Sequence, residues 1–125
     1  MANKYYRKAS VVYVNQYHIV FCPKYRRKVL VDEIAQDLES IFQTIAQEKG
    51  IEIKSLQVMP DHVHLFVSFD PRISLHALIQ LLKGRSSYLL RRKYPSLRSR
   101  FPSLWTRSYF SCTIGYISEE TIQKY

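Results

Sequence analysis

Glycine is scarce in this chain, three residues in 125, and neither an internal repeat nor a low-complexity tract is visible. Together with 46% hydrophobic and 23% charged residues, this excludes collagen-like and disordered compositions and leaves one domain long enough for a single core. Cysteine is nearly as rare. Cys22 and Cys112 lie far apart on predicted strands, with no CxxC spacing to suggest zinc or redox chemistry, and both read as structural thiols. No apolar run approaches the roughly 20 residues of a membrane span, and Met1 to Ser10 lacks the apolar segment of a signal peptide. A cytoplasmic location with no membrane partner is therefore expected. Acidic residues are in deficit too: ten Asp and Glu stand against nineteen Lys and Arg, a net charge of +9 that favours a polyanionic partner.

What is present centres on Met59-Pro60-Asp61-His62-Val63-His64-Leu65-Phe66-Val67-Ser68-Phe69. Pro60 and Asp61 mark a turn, and the β-branched and aromatic residues after it predict a strand. Alternation puts Val63, Leu65, Val67 and Phe69 on one face and His62, His64, Phe66 and Ser68 on the other. The first face suits a core. The second presents two neighbouring imidazoles able to coordinate a metal or hold a phosphate at neutral pH, although two ligands alone do not make a metal site. Asp61 precedes His62 and is expected to face away from it, so it would reach the site only through water or an outer contact.

Around this strand the chain alternates strand and helix signals. Lys4 to Lys8 is a basic, tyrosine-containing lead-in, and Ser10 to Cys22 predicts a strand or a hairpin pair centred on Asn15 and Gln16. After Pro23, the loop Lys24, Tyr25, Arg26, Arg27 and Lys28 sets an aromatic among cations, fit to stack on a base and hold phosphates, or simply a solvated loop. Ile34, Leu38, Ile41, Phe42, Ile45 and Ala46 recur at helical steps between Val31 and Lys49, with Gly50 as the stop. Ile51 to Val58 forms the next strand, hairpinned to the histidine strand. Ser74 caps a second helix with Leu75, Leu78, Leu82 and Leu89 near one face. Lys83, Arg85, Arg91, Arg92 and Lys93 make its far side a candidate phosphate surface, in part a match to the helix dipole. Pro95 and Pro102 bracket a basic connector with Arg98 and Arg100, Leu104 to Ile114 reads as the last strand, Gly115 as a hinge, and Ser118 as the cap of a final helix. Strand, helix, strand, strand, helix, strand is the α+β split βαβ pattern of ferredoxin-like and RNA-recognition-type domains, an antiparallel sheet with helices on one face. That arrangement serves RNA binding, metal carriage and catalysis alike.

Met-Pro-Asp-His-Val-His-Leu, with Tyr17-His18-Ile19-Val20-Phe21-Cys22-Pro23-Lys24-Tyr25-Arg26-Arg27 upstream and Trp105-Thr106-Arg107-Ser108-Tyr109-Phe110 downstream, resembles the single-tyrosine HUH transposases of small insertion sequences (TnpA-like), HUH being histidine, hydrophobic residue, histidine. The resemblance runs from about Tyr17 to the last residue. It implies an enzyme that cuts and rejoins single-stranded DNA with hairpin ends through a 5′-phosphotyrosine, using Mg2+ or Mn2+ held by His62 and His64. On ligand grounds alone, imidazole favours zinc or manganese over magnesium. Of ten tyrosines the resemblance selects Tyr125, because Glu119 to Lys124 is similar to the family's lead-in to its nucleophile. It also implies a homodimer in which one subunit's tyrosine completes the other's histidine site. The family's third ligand, usually Gln, lies one turn beyond the tyrosine. A single domain over 1–125, cut short within its C-terminal helix, is accordingly expected. The competing expectations are a non-catalytic RNA-recognition-type binder, whose Lys-Gly-Phe-Gly-Phe-like run is missing, an inactive transposase remnant, and a related HUH replication initiator or relaxase, for which a longer chain would be expected.

Overall fold

A computed structural model describes residues 6–8, 11–13, 15–100 and 102–113, the first two segments by their backbone alone. Gly115, the Ser118 helix and Tyr125 lie outside the described residues, as do Lys4 and Tyr5 of the basic lead-in. The elements are β1 (Tyr6–Lys8), β2 (Val11–Tyr13), β3 (Gln16–Phe21), α1 (Asp32–Lys49), β4 (Glu52–Met59), β5 (His62–Ser68), α2 (Leu75–Lys93), α3 (Pro95–Arg100) and β6 (Phe110–Cys112).

Four strands make one antiparallel sheet in the order β4-β5-β3-β6, the split βαβ arrangement expected from the element order. The odd-numbered residues Ile19, Phe21, Val63, Leu65, Val67 and Phe69 enter one cluster with Leu38, Phe42, Ile45 and Ala46 of α1 and Leu78, Ile79 and Leu82 of α2. Both helices therefore cover the same sheet face. Burying these apolar side chains is the main source of stability, roughly 1.5–3 kcal/mol for each large one. Helix α1 ends as its sequence predicts: Gly50 takes a left-handed φ of 68°, which only glycine adopts without strain, and its N–H returns to the Ala46 carbonyl. Between β4 and β5 only Pro60 and Asp61 turn the chain, which pairs Met59 with His62 and Gln57 with His64.

Several expectations are corrected. No hairpin turns at Asn15 and Gln16: β2 pairs with β1 in a separate two-stranded sheet, and Asn15 breaks the chain between β2 and β3 while its side-chain amide donates to the Phe69 carbonyl at 2.9 Å. The last strand is shorter than Leu104 to Ile114 among the described residues. Leu104 and Trp105 are buried, and the carbonyls of Thr106, Arg107 and Ser108 are drawn to one ammonium, Lys83 Nζ, at 2.9, 3.3 and 2.8 Å instead of a sheet partner. Pro95 opens a short helix, a position where its missing N–H is harmless. Leu89 is 37% exposed, whereas Leu90 is buried. The buried side of α2 rotates along its length: Leu78, Ile79 and Leu82 join the core beneath the sheet, but Lys83, Ser86 and Ser87 meet the connector carrying Leu104 and Trp105. Ser86 accepts from the Trp105 indole at 2.9 Å, and Ser87 accepts from the Leu104 N–H at 3.2 Å. Cys22 is buried and Cys112 half-buried. No described helix is long and apolar enough to cross a membrane.

Candidate active site

On the sheet face away from the helices, β5 presents His62, His64, Phe66 and Ser68, and β3 presents His18 and Val20 opposite Phe66 and His64. The parity read from the sequence is the one the sheet uses. Its consequence goes further than the two histidines of β5, because β3 is their direct neighbour. The His18 ring stacks flat on Phe66, centroids 4.3 Å apart and planes within 10°, and its Nδ1 lies 3.0 Å from His64 Nε2. One of these two nitrogens donates and the other accepts, so each ring fixes the tautomer and rotation of the other. Burial pushes the pKa of His18 down. It does the same for His64, with the nearby His18 and His62 charges acting in the same direction. Both rings are therefore held towards the neutral form, the form that ligates a metal.

Asp61 contradicts its expected orientation. It sits in the turn, where the pleat does not dictate direction, and its Oδ1 accepts from His62 Nδ1 at 2.9 Å. Burial works to raise the Asp61 pKa, but the His62 hydrogen bond and the Arg26 charge outweigh it and hold the carboxyl below its ordinary value. With Nδ1–H given to Asp61, the Nε2 lone pair of a neutral His62 is the one presented as ligand or acceptor. Arg26 Nη2 lies 3.4 Å from Asp61 Oδ2, so the basic loop is coupled to the histidine strand through one carboxylate. That loop is wound tightly: Tyr25 and Arg26 have φ of 59° and 49°, left-handed values that non-glycine residues rarely take, and Lys24 N–H donates to the Leu104 carbonyl at 2.8 Å. The conformation leaves the Tyr25 ring 77% exposed beside Arg27 and Lys28, which are also exposed.

As a metal centre, the described residues supply a half-site. His62 and His64 share a face, and Asp61 orients His62 as a carboxylate orients a ligating imidazole. Among the described residues no group of three His, Cys, Asp or Glu is close enough to hold an ion, so further ligands would have to come from elsewhere.

The sequence-selected cations part company. Lys83 is only 6% exposed and its three donors are spent on the Thr106, Arg107 and Ser108 carbonyls, so it is a structural tie and not part of a phosphate surface. Burial lowers its pKa to about 8. Arg85 is paired with Glu48 at 2.7 Å, and Arg92 lies over the Tyr88 ring, 5.9 Å from its centroid. Arg91 is half-buried on the side of α2 that faces the connector. Lys24 is half-buried at the base of the loop. His18 is the residue that sequence reasoning passed over. Its even position on a strand adjacent to β5 was the available signal.

A sequence model of the IS200-like transposases matches residues 11–125. The ISDra2 transposase TnpA of Deinococcus radiodurans is 39% identical over 116 residues, covering 91% of this chain and 83% of that protein. The transposase for insertion sequence element IS200 of Salmonella typhimurium is 31% identical over 102 residues, 80% of this chain and 67% of that protein. Among solved structures, a crystal structure described as that of a putative transposase from Deinococcus radiodurans superposes with a TM-score of 0.86 at 34% identity, over 95% of this chain and 93% of that one. A REP-associated tyrosine transposase bound to a REP hairpin shares the fold at a TM-score of 0.61 and 15% identity, over 90% of this chain and 62% of that one.

Proposed function

We propose that this chain, which belongs to the IS200-like transposase family, cuts and rejoins single-stranded DNA at hairpin-bearing ends, with His62 and His64 at the scissile phosphate and Tyr125 as the nucleophile. The observation that carries the reading is the pair of β5 histidines on the sheet face away from the helices, one of them oriented by Asp61. A divalent cation, magnesium or manganese, held by His62 and His64 would polarise the phosphoryl oxygens and fix the phosphate for in-line attack. The remaining work falls to the chain. Asp61 keeps the His62 ring turned with Nε2 outward, His18 keeps the His64 ring in place, and Arg26 holds Asp61 from the other side. Attack by the Tyr125 phenol forms a bond from its oxygen to phosphorus and breaks the bond to the 3′ oxygen. The phenolic proton is lost and the 3′ oxygen gains one. The resulting 5′-phosphotyrosine conserves the phosphodiester's energy, so reversal by another 3′-hydroxyl rejoins strands without ATP. A homodimer with the tyrosine supplied in trans fits this scheme. The Lys24 to Lys28 loop is suited to the flanking strand, Tyr25 stacking on a base and Arg27 and Lys28 on phosphates.

The test is a denaturing gel of labelled hairpin oligonucleotide incubated with the chain and manganese or magnesium. A covalent adduct is expected from the native sequence and none from Tyr125→Phe, which removes only the attacking oxygen. His62→Ala should lose the adduct while retaining hairpin binding. An adduct that persists in Tyr125→Phe would move the nucleophile to another tyrosine.

A further inference from the structure

Along α2, from His76 and Gln80 to Arg91, this helix and the segment 103–107 line a cleft of about 670 Å3 that includes none of His18, His62 and His64 and lies within the size range of small-ligand sites. Its lining includes Arg91, Arg107, Tyr88 and Trp105 and, among the described residues, contains no Asp or Glu. Arg91 is half-buried against the cleft. Tyr88 is 61% exposed at the rim, with Arg92 over its ring. The floor is rigid: Trp105 is tied to Ser86, and the 106–108 carbonyls are tied to Lys83. Gly84 also lines the cleft, and a Cβ built on it meets nothing within 4 Å.

We propose that this cleft is a second nucleic-acid site that takes one unpaired nucleotide of single-stranded DNA, its phosphate on Arg91 and Arg107 and its base against Tyr88. Positive charge with no carboxylate among the described lining residues selects an anion, and the exposed ring supplies a stacking face. The proposal rests on the reading of the chain as a single-stranded-DNA enzyme, but it uses none of the residues at the histidine site.

Trp105 is the single tryptophan of the chain and lines the cleft, so its fluorescence reports occupancy directly. The full chain is titrated with an unstructured DNA of about four nucleotides, with thymidine monophosphate as a parallel arm, and total binding is followed by anisotropy of labelled DNA. A saturable change in Trp105 emission is expected with the oligonucleotide and a weaker one with the mononucleotide. Gly84→Leu fills the cleft at unchanged net charge and improves helix propensity; it should keep the thermal midpoint and weaken the emission response at least tenfold. Arg91→Gln should weaken binding about tenfold and flatten the dependence of log K on log salt by about 0.7, the value for one phosphate on a single strand. Tyr88→Ala, at an exposed position, should weaken it similarly with the thermal midpoint little changed. Lys49→Gln removes a charge far along α1 and should do much less. Emission that stays constant while anisotropy saturates, wild-type affinity in Gly84→Leu, or an equal loss in Lys49→Gln would each overturn the proposal. Loss of strand cleavage in His62→Ala with the Trp105 response intact is expected. Cleavage retained in His62→Ala would sink the active-site reading without touching the cleft.

Discussion

Ile19, Phe21, Val63, Leu65 and Val67 on the helix-facing side of the sheet are buried, and so are His18, His62 and Ser68 one residue along the same strands on the other side, the two histidines slightly less completely. The two faces obey opposite energetics. On the first, removal from water is favourable for every side chain, and the Phe21 ring packs edge-on against Phe42 and Trp105. On the second, removal from water is unfavourable unless partners are found. His18 finds His64 and His62 finds Asp61, whereas Gln16 Nε2 and Ser68 Oγ are buried without a partner among the described residues. A face that spends stability in this way is where function is expected to reside, and a protein built only for stability would have placed valines there.

Substitutions one residue apart should break this contrast in opposite directions. The largest effect is expected from His64→Ala, which should cut strand cleavage at least about a thousandfold, the scale of losing a phosphate-fixing ligand, with little change in the urea midpoint. Neighbouring Leu65→Ala should do the reverse: a loss of about 2–5 kcal/mol in urea unfolding, with cleavage intact in the fraction that remains folded. If both substitutions unfold the chain to the same extent, the division of labour between the faces is wrong. Asp61→Asn sharpens the comparison, because it alters neither strand. It should reduce metal affinity, measured by calorimetry, and cleavage by about 10- to 100-fold.

Lys83 tests whether a buried polar group can belong to the core side. Its folded pKa of about 8 lies below its ordinary value of 10.5, so between those values the folded chain holds fewer protons than the unfolded one. Stability relative to Lys83→Met should therefore rise with pH from about 8 to 10.5 and stay flat below, read from urea melts at each pH. A fall across that window would contradict the burial of the ammonium. The smallest effect is expected at the surface: Glu48→Gln, which removes the partner of Arg85, should shift stability by less than about 1 kcal/mol.

Much of the site was legible before any coordinates. The β5 alternation fixed which side His62 and His64 would share, because strand periodicity is a local property, and the Gly50 stop of α1 was equally local. Asp61 was misjudged because strand parity was extended into a two-residue turn, where it does not apply. Lys83 was misjudged because a lysine on a basic helix face reads as solvated until the segment that buries it is placed. Leu89, expected on the buried face of α2, is 37% exposed, and Leu90 is buried in its place.

By itself, then, the sequence determined the basic balance of the chain, the family resemblance, the strand parity and the span of α1; the last two depend only on residues within a few positions of one another. Only the tertiary structure decided that β3 would lie beside β5 and bring His18 to His64, that Arg26 would reach Asp61 from a loop some 35 residues earlier, and that the 106–108 carbonyls would converge on Lys83. Those contacts join segments far apart in the chain. Their partners are chosen by which apolar surfaces must be covered together, and that choice is made by the core as a whole.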